Sequence, residues 1–225
     1  MGPTAPAPHA TPAAPARRAT RRLVAAALLL AAGVLVGLAS AWWSVRPQAA
    51  FGAAVGPWRV SLLAGSADAD ATTRARVALG GLLALNRSET MYYVATHDSA
   101  GRPLRARCRY RITGAPPAAR WWSLTAYADD YFLFADDARR YSVNGANARL
   151  DERGRFTVWT GPQAPPPSAA PSAPGGAGGA GDTWLPTPGD RGLVLTLRVY
   201  NPQPLLQASP SSLAPPAIEA EGSCA

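Results

Sequence analysis

The chain has 225 residues, 48% of them hydrophobic, and a formal net charge of +8. That length allows one domain with extensions. All 22 basic residues are arginine, and five of them (Arg17, Arg18, Arg21, Arg22 and Arg46) lie before residue 47, where there is no acid; from 47 to 225, 17 arginines face 14 acids. The body is only mildly basic and carries no base-reading motif, which argues against a nucleic-acid partner.

"MGPTAPAPHATPAAPA" opens the chain, rich in Pro and Ala and without periodicity. Residues 1–22 are predicted to be a disordered cytoplasmic tail. Residues 23–43, "LVAAALLLAAGVLVGLASAWW", hold no charge. About 20 apolar residues cross a bilayer, so residues 23–45 predict a single transmembrane helix. Arginines before it place its start in the cytoplasm, and Trp42 and Trp43 suit the far interface. The rest of the chain is then expected outside an inner membrane, held there by 23–45. A cleaved signal peptide is the rival reading, because Ala39, Ser40 and Ala41 form a small-x-small site. The run is longer than the ~7–15 apolar residues usual in such peptides.

Residues 46–65 read as a juxtamembrane linker that includes Trp58. "SADADATTRARVALGGLLALN" (66–86) predicts a helix. Ser66 is the expected N-cap, and Asp68 and Asp70 suit the positive end of the dipole. Ala71, Ala75, Ala78, Leu82 and Leu85 fall on one face. Gly80 and Gly81 weaken its interior.

From residue 89 the period changes to two, the spacing of a strand with one buried face. "TMYYVATHD" (90–98) is the first such run. In "RARCRYRI" (105–112), Cys108, Tyr110 and Ile112 alternate with Arg105, Arg107, Arg109 and Arg111. "ARWWSLTAY" puts Trp122, Leu124 and Ala126 on one face and Trp121, Ser123, Thr125 and Tyr127 on the other. "GRFTVWTG" opposes Phe156 and Val158 to Trp159, and "GLVLTLRVY" opposes Leu193, Leu195, Leu197 and Val199 to Arg198 and Tyr200. Short strands between turn-rich segments predict a mainly β, antiparallel sandwich over 66–206 with one leading helix. "PQAPPPSAAPSAPGGAGGAGD" (162–182) reads as a flexible insertion, and 207–225 as an extended C-terminal tail. Cys108 and Cys224 lie on the side predicted to be oxidising, where a single pair forms a disulfide.

"TRARVALGGLLALNRSETMYY", "ARWWSLTAY…YFLF", "RRYSVN", "WLPTP" and "LTLRVYNPQP" occur in this order. The combination resembles the bacterial family called domain of unknown function 1214, in particular its exported or membrane-anchored members. The resemblance implies a jelly-roll-like sandwich with a leading helix. It implies no reaction, cofactor or catalytic residue. The long insertion before "TWLPTP" departs from the family's pattern.

Candidate chemistry is sparse. Trp121, Tyr127, Trp159, Arg198 and Tyr200 are candidates for an aromatic-polar face able to stack on a sugar ring or acyl chain. The bland reading covers that face with a helix or loop. The basic row Arg105, Arg107, Arg109 and Arg111 reads as a solvated strand face; its sharper reading is contact with anionic headgroups or an acidic polysaccharide. Asp129-Asp130 and Asp136-Asp137 read as turn acids with arginine partners rather than calcium ligands. His97 is the one histidine beyond the N-terminal tail and reads as a turn residue. No metal site and no cofactor is expected. The reading is a membrane-anchored envelope protein, a non-catalytic binding or interaction module with a glycan, lipid or protein partner. The alternative is an envelope hydrolase acting on a glycan or lipid through carboxylates such as Asp129 or Asp136. An enzyme would need two or more titratable groups converging in one pocket.

Overall fold

The structure, a computed structural model, describes residues 2, 14–45, 52–79, 84–165 and 183–224. It divides into two units, Met1–Arg46 and Pro47–Ala225.

The first unit is one helix, α1 (Ala14–Val45). Its segment Ala19–Val45 is long and apolar enough to cross a membrane. At ~1.5 Å per residue it measures about 40 Å, against a hydrocarbon core of about 30 Å. Leu28, Leu29 and Leu35 are exposed along it. The helix starts before the apolar run, so residues 14–22 are helical rather than part of a disordered tail. Alanine and arginine are strong helix formers, and the helix propagates through "RRATRR". The remainder of the expected tail lies outside the described residues.

The second unit is mostly β. Its strands are β1 (Ala53–Val55), β2 (Trp58–Val60), β3 (Thr90–Ala95), β4 (Arg109–Gly114), β5 (Ala119–Ala128), β6 (Ser142–Asn144), β7 (Phe156–Gly161), β8 (Trp184–Pro186), β9 (Leu193–Pro202) and β10 (Ala217–Glu221). They form a six-stranded sheet, β1-β2-β3-β9-β5-β6, and a four-stranded sheet, β10-β4-β7-β8. Every pairing is antiparallel except β7 with β8. Alternate residues of both sheets meet in one core: Trp122, Leu124, Leu195 and Leu197 from the larger sheet, Ile112, Phe156, Val158 and Ile218 from the smaller. Trp122 stacks on Phe156 across the two, with ring centroids 4.6 Å apart.

The segment expected as a linker is sheet. Gly56 (φ +59°) and Pro57 make a two-residue turn between β1 and β2, a conformation that glycine adopts without strain. Trp58 is 0% exposed, and its indole N–H donates to the Pro216 carbonyl at 2.7 Å. The leading helix is also shorter than its apolar spacing implied. It is α2 (Ala71–Leu79), and Asp70 rather than Ser66 caps it, accepting from the Thr73 N–H at 2.7 Å. Leu85 and Asn86 are not helical, and the Gly80-Gly81 pair lies outside the described residues. In the arginine row, residues 105–108 turn before β4 begins: the Cys108 N–H donates to the Arg105 carbonyl. The burial alternation continues through the turn, with Leu104, Ala106 and Cys108 buried. Of the predicted insertion, residues 166–182 lie outside the described residues.

The C-terminal tail is an integral part of the domain. A short helix, α3 (Pro204–Ala208), follows β9. Beyond it, the Pro210 carbonyl accepts from the Tyr93 hydroxyl at 3.1 Å. Burial pushes the Tyr93 phenol well above its ordinary pKa. The chain then forms β10, the edge strand beside β4, and Cys224 is bonded to Cys108 with Cα atoms 5.8 Å apart.

Two stability changes follow. The disulfide joins residues separated by 116 positions. Closing so long a loop restricts the unfolded chain by an amount worth about 4–5 kcal/mol in the chain-entropy estimate. Thermal unfolding with and without reductant should therefore show a clear fall in Tm; equal transitions would show that the bridge contributes nothing. Trp58→Ala removes a fully buried indole and its hydrogen bond, and a loss of about 3–5 kcal/mol is expected in denaturant unfolding. A loss under about 1 kcal/mol would mean that the β1–β2 hairpin is not part of the cooperative core.

Candidate functional site

The face of the six-stranded sheet turned away from the core carries the best candidate, although much of it is covered: Thr90, Ser123, Thr125, Val194 and Thr196 are buried, and Trp121 is its exposed end. Where β5 and β9 pair, Trp121 opposes Tyr200, Ser123 opposes Arg198, Thr125 opposes Thr196, and Tyr127 opposes Val194. On the other side of β9, Thr90 opposes Tyr200 and Tyr92 opposes Arg198. Arg198 is thus the centre of the face. Its guanidinium donates to the Tyr127 hydroxyl at 2.9 Å and to Thr125 Oγ1 at 3.4 Å, and lies 5.5 Å from the centre of the Tyr127 ring. Trp121, 40% exposed, meets Tyr200 at 5.1 Å between ring centroids, tilted at 51°. Thr90 Oγ1, in register with Tyr200, is buried without a hydrogen-bond partner among the described residues.

Four of the five residues singled out in the sequence therefore share this face. Trp159 does not. It lies on β7, in register with Arg111 and Trp184 in the smaller sheet, and is 3% exposed. Because β7 pairs with β4 and β8, it shares no sheet with Tyr200. Ser123 and Thr125 were legible as neighbours of Trp121 on one strand face. Tyr92 and Thr90 were not, because nothing local to "TMYYVA" states that β3 pairs with β9.

The basic row is divided among partners. Arg107 holds both carboxylate oxygens of Asp190 at 2.8 Å. Arg111 holds Glu219 at 2.7 Å and Glu221 at 3.5 Å. Arg105 donates its backbone N–H to the Tyr110 hydroxyl. Arg109 is half-buried, its Nε without a partner among the described residues. The acid pairs also face arginines. Arg191 reaches both Asp129 and Asp130, and its hydrogen bond to Asp130 holds that carboxyl below its ordinary pKa. Arg140 donates to Asp136 from its side chain and its backbone N–H, which together hold the Asp136 carboxyl down to about 2. The same guanidinium lies 4.5 Å over the Trp184 ring.

His97 lines a separate cavity of about 350 Å³ with Gly56, Pro57, Arg59, Asp98 and Ser99; none of residues 129–137 belongs to that lining. Its Nδ1 is 3.0 Å from Thr96 Oγ1. Asp98 closes the adjacent turn, accepting from the backbone N–H groups of Ala100 and Arg102. Among the described residues no cluster of three or more His, Cys, Asp or Glu is placed to hold a metal ion.

A fold of this kind occurs in the VPA0106 protein from Vibrio parahaemolyticus: 20% identity, TM-score 0.52, covering 69% of this chain and 36% of that protein. The chain thus spans about a third of that protein's length. An uncharacterised protein from Burkholderia cenocepacia matches at 14% identity and a TM-score of 0.32, covering 59% of this chain and 29% of the other. No curated protein matches. The family model described as "Protein of unknown function (DUF1214)" matches residues 89–204, from just before β3 to the start of α3. The match takes in more than half of the sequence and includes Thr90, Trp121, Tyr127, Arg198 and Tyr200; the chain belongs to the DUF1214 family.

Proposed function

We propose that the protein is a non-catalytic binding module of the cell envelope. In this reading residues 23–45 anchor it in the inner membrane, its N-terminus is cytoplasmic, and its jelly-roll-like domain is exported. The Arg198 face is the ligand site, and its ligand is an acidic glycan.

One observation carries the reading. Arg102, Arg107, Arg111, Arg140 and Arg191 each pair with a carboxylate. Arg198, half-buried at the centre of its face, has only the hydroxyls of Thr125 and Tyr127 among the described residues. A guanidinium fork matches a carboxylate bidentately. Trp121, Tyr127 and Tyr200 beside it offer ring faces on which a sugar can stack. A uronic acid presents both features in one residue, a ring and a carboxylate on it. The hydrolase alternative has weaker support. An acid held at about 2 has no proton to give near neutral pH, and the cavity that His97 lines does not include Asp136.

Binding is testable by tryptophan emission of the full chain in nanodiscs, titrated with oligogalacturonate and with a neutral oligosaccharide. The acidic ligand should bind saturably and the neutral one weakly or not at all. Arg198→Met should weaken acidic binding about tenfold or more, as expected for loss of a charged hydrogen bond, with a Tm no lower than that of the parent chain. Equal affinity in the variant, or no saturable binding of the acidic ligand, would sink the proposal. The orientation has its own measurement. A reporter active only outside the cytoplasm, fused after Gly52, should be active; activity of a cytoplasm-only reporter at that point would reverse the topology.

A further inference from the structure

We infer that one end of the β-domain, the end at which the chain enters it, rests on the membrane surface with its leucines among the lipid headgroups. This rests on the reading of α1 as a membrane span.

Strand direction identifies that end. Ala53 pairs with Val60, Val60 with Tyr93, Thr90 with Tyr200, and Ala119 with Pro202. The start of β1, the end of β2, the start of β3, the end of β9 and the start of β5 therefore lie at one end of the six-stranded sheet. The segments leaving or entering there carry exposed leucines: Leu62 (38%) and Leu63 (43%) after β2, Leu85 (38%) before β3, and Leu205 (71%) after β9. Beside Leu205 at this end, an apolar groove of about 220 Å³ is lined by Ala115, Pro116, Pro117, Leu205, Leu206 and Leu213. Single exposed leucines need no explanation, whereas several at one end of a sheet, with an apolar groove at the same end, mark an interaction surface.

The chain itself selects lipid as the occupant. From Val45, the last residue of α1, to Ala53, the first of β1, there are eight Cα steps. Fully extended, these span at most about 30 Å. The opposite end of the sheet also has an apolar tip, Phe132 (72%) and Leu133 (43%), just beyond β5. The ten residues of β9 separate the two ends by about 33 Å. The far tip reaches the bilayer only with the tether stretched to its limit. The near end reaches it with chain to spare. Leucines at an end that can reach the bilayer would place their side chains at the boundary of headgroups and acyl chains, about 5–10 Å deep.

The test uses the full chain in vesicles of phosphatidylcholine and phosphatidylglycerol. With Cys108 and Cys224 bridged, an introduced cysteine takes an environment-sensitive fluorophore selectively. Leu63→Cys, Leu205→Cys, Phe132→Cys and Val34→Cys are labelled one at a time and quenched by lipids spin-labelled at shallow or deep positions. The labels at 63 and 205 should be quenched by the shallow lipid, reading about 5–10 Å depth. The label at 132 should be unquenched, and the label at 34 quenched by the deep lipid. If 34 is quenched while 63 and 205 are not, the span stands and the docking surface is wrong. Quenching at 132 equal to that at 205 overturns the assignment of the end. An unquenched label at 34 removes the span and overturns the inference with it.

Discussion

The antiparallel pairing of β5 with β9 is the constraint on which the rest of the domain depends. Both strands are ten residues long and sit side by side in the interior of the larger sheet. A period of two then sorts their side chains. Trp122, Leu124, Ala126 and Ala128 meet Val199, Leu197, Leu195 and Leu193 in the core, and the intervening residues build the Arg198 face. A one-residue slip would exchange the two sets. It would bury Arg198 and expose four leucine-class positions. The apolar rows therefore hold the site in register; its own contacts among the described residues are the Trp121–Tyr200 ring pair and those of Arg198 with Thr125 and Tyr127.

The second sheet is held by the ends of the domain. The indole of Trp58, near the first strand, donates to Pro216, just before the last. β10 covers the edge of β4, and Cys224 closes on Cys108. An open edge beside β4 would be a template for pairing with another chain. The tail removes that edge, and the covalent bond keeps it there. Three separate kinds of contact thus tie residues distant in sequence into one unit: a buried hydrogen bond, a strand ladder and a disulfide.

What the sequence made legible was whatever repeats locally. Four of the five alternating runs read correctly as strands, because burial on one face imposes the alternation directly; in "RARCRYRI" only the second half is strand, since the alternation also runs through the turn at 105–108. The core faces of "WWSLTAY" and "LVLTLRVY" followed from it; the cysteine pairing followed instead from there being a single possible pair. Short elements escaped. β1 and β2 have three residues each, too few to show a period; the Gly-Pro step before Trp58 was their one signal. Trp159 was misplaced because alternation gives the face of a strand and not the sheet that the strand joins. Its neighbours Arg111 and Trp184 are fixed by pairing across long separations, which no local pattern records. The same limit hid Tyr92 and Thr90 from the candidate site.

Arg198 was named from the sequence, but its meaning came from the other arginines. In a chain without lysine every basic position is arginine, so composition alone makes each of them a solvated surface charge. The structure divides them. Arg102, Arg107, Arg111, Arg140 and Arg191 find Asp or Glu nearby, and pairs of this exposed kind stabilise little in water. Arg198 occupies an outward position on a central strand, where a β-branched or aromatic residue would pack better. Partial burial of a guanidinium with only hydroxyls and a phenol ring as partners opposes stability. The neighbouring residues offset part of that cost and, among the described residues, leave the charge without a carboxylate. A local choice that runs against the preference of its own strand is what a sequence shows where function rather than folding sets the residue. That conflict, more than the number of aromatic rings around it, is why the face centred on Arg198 is the place to look for a ligand.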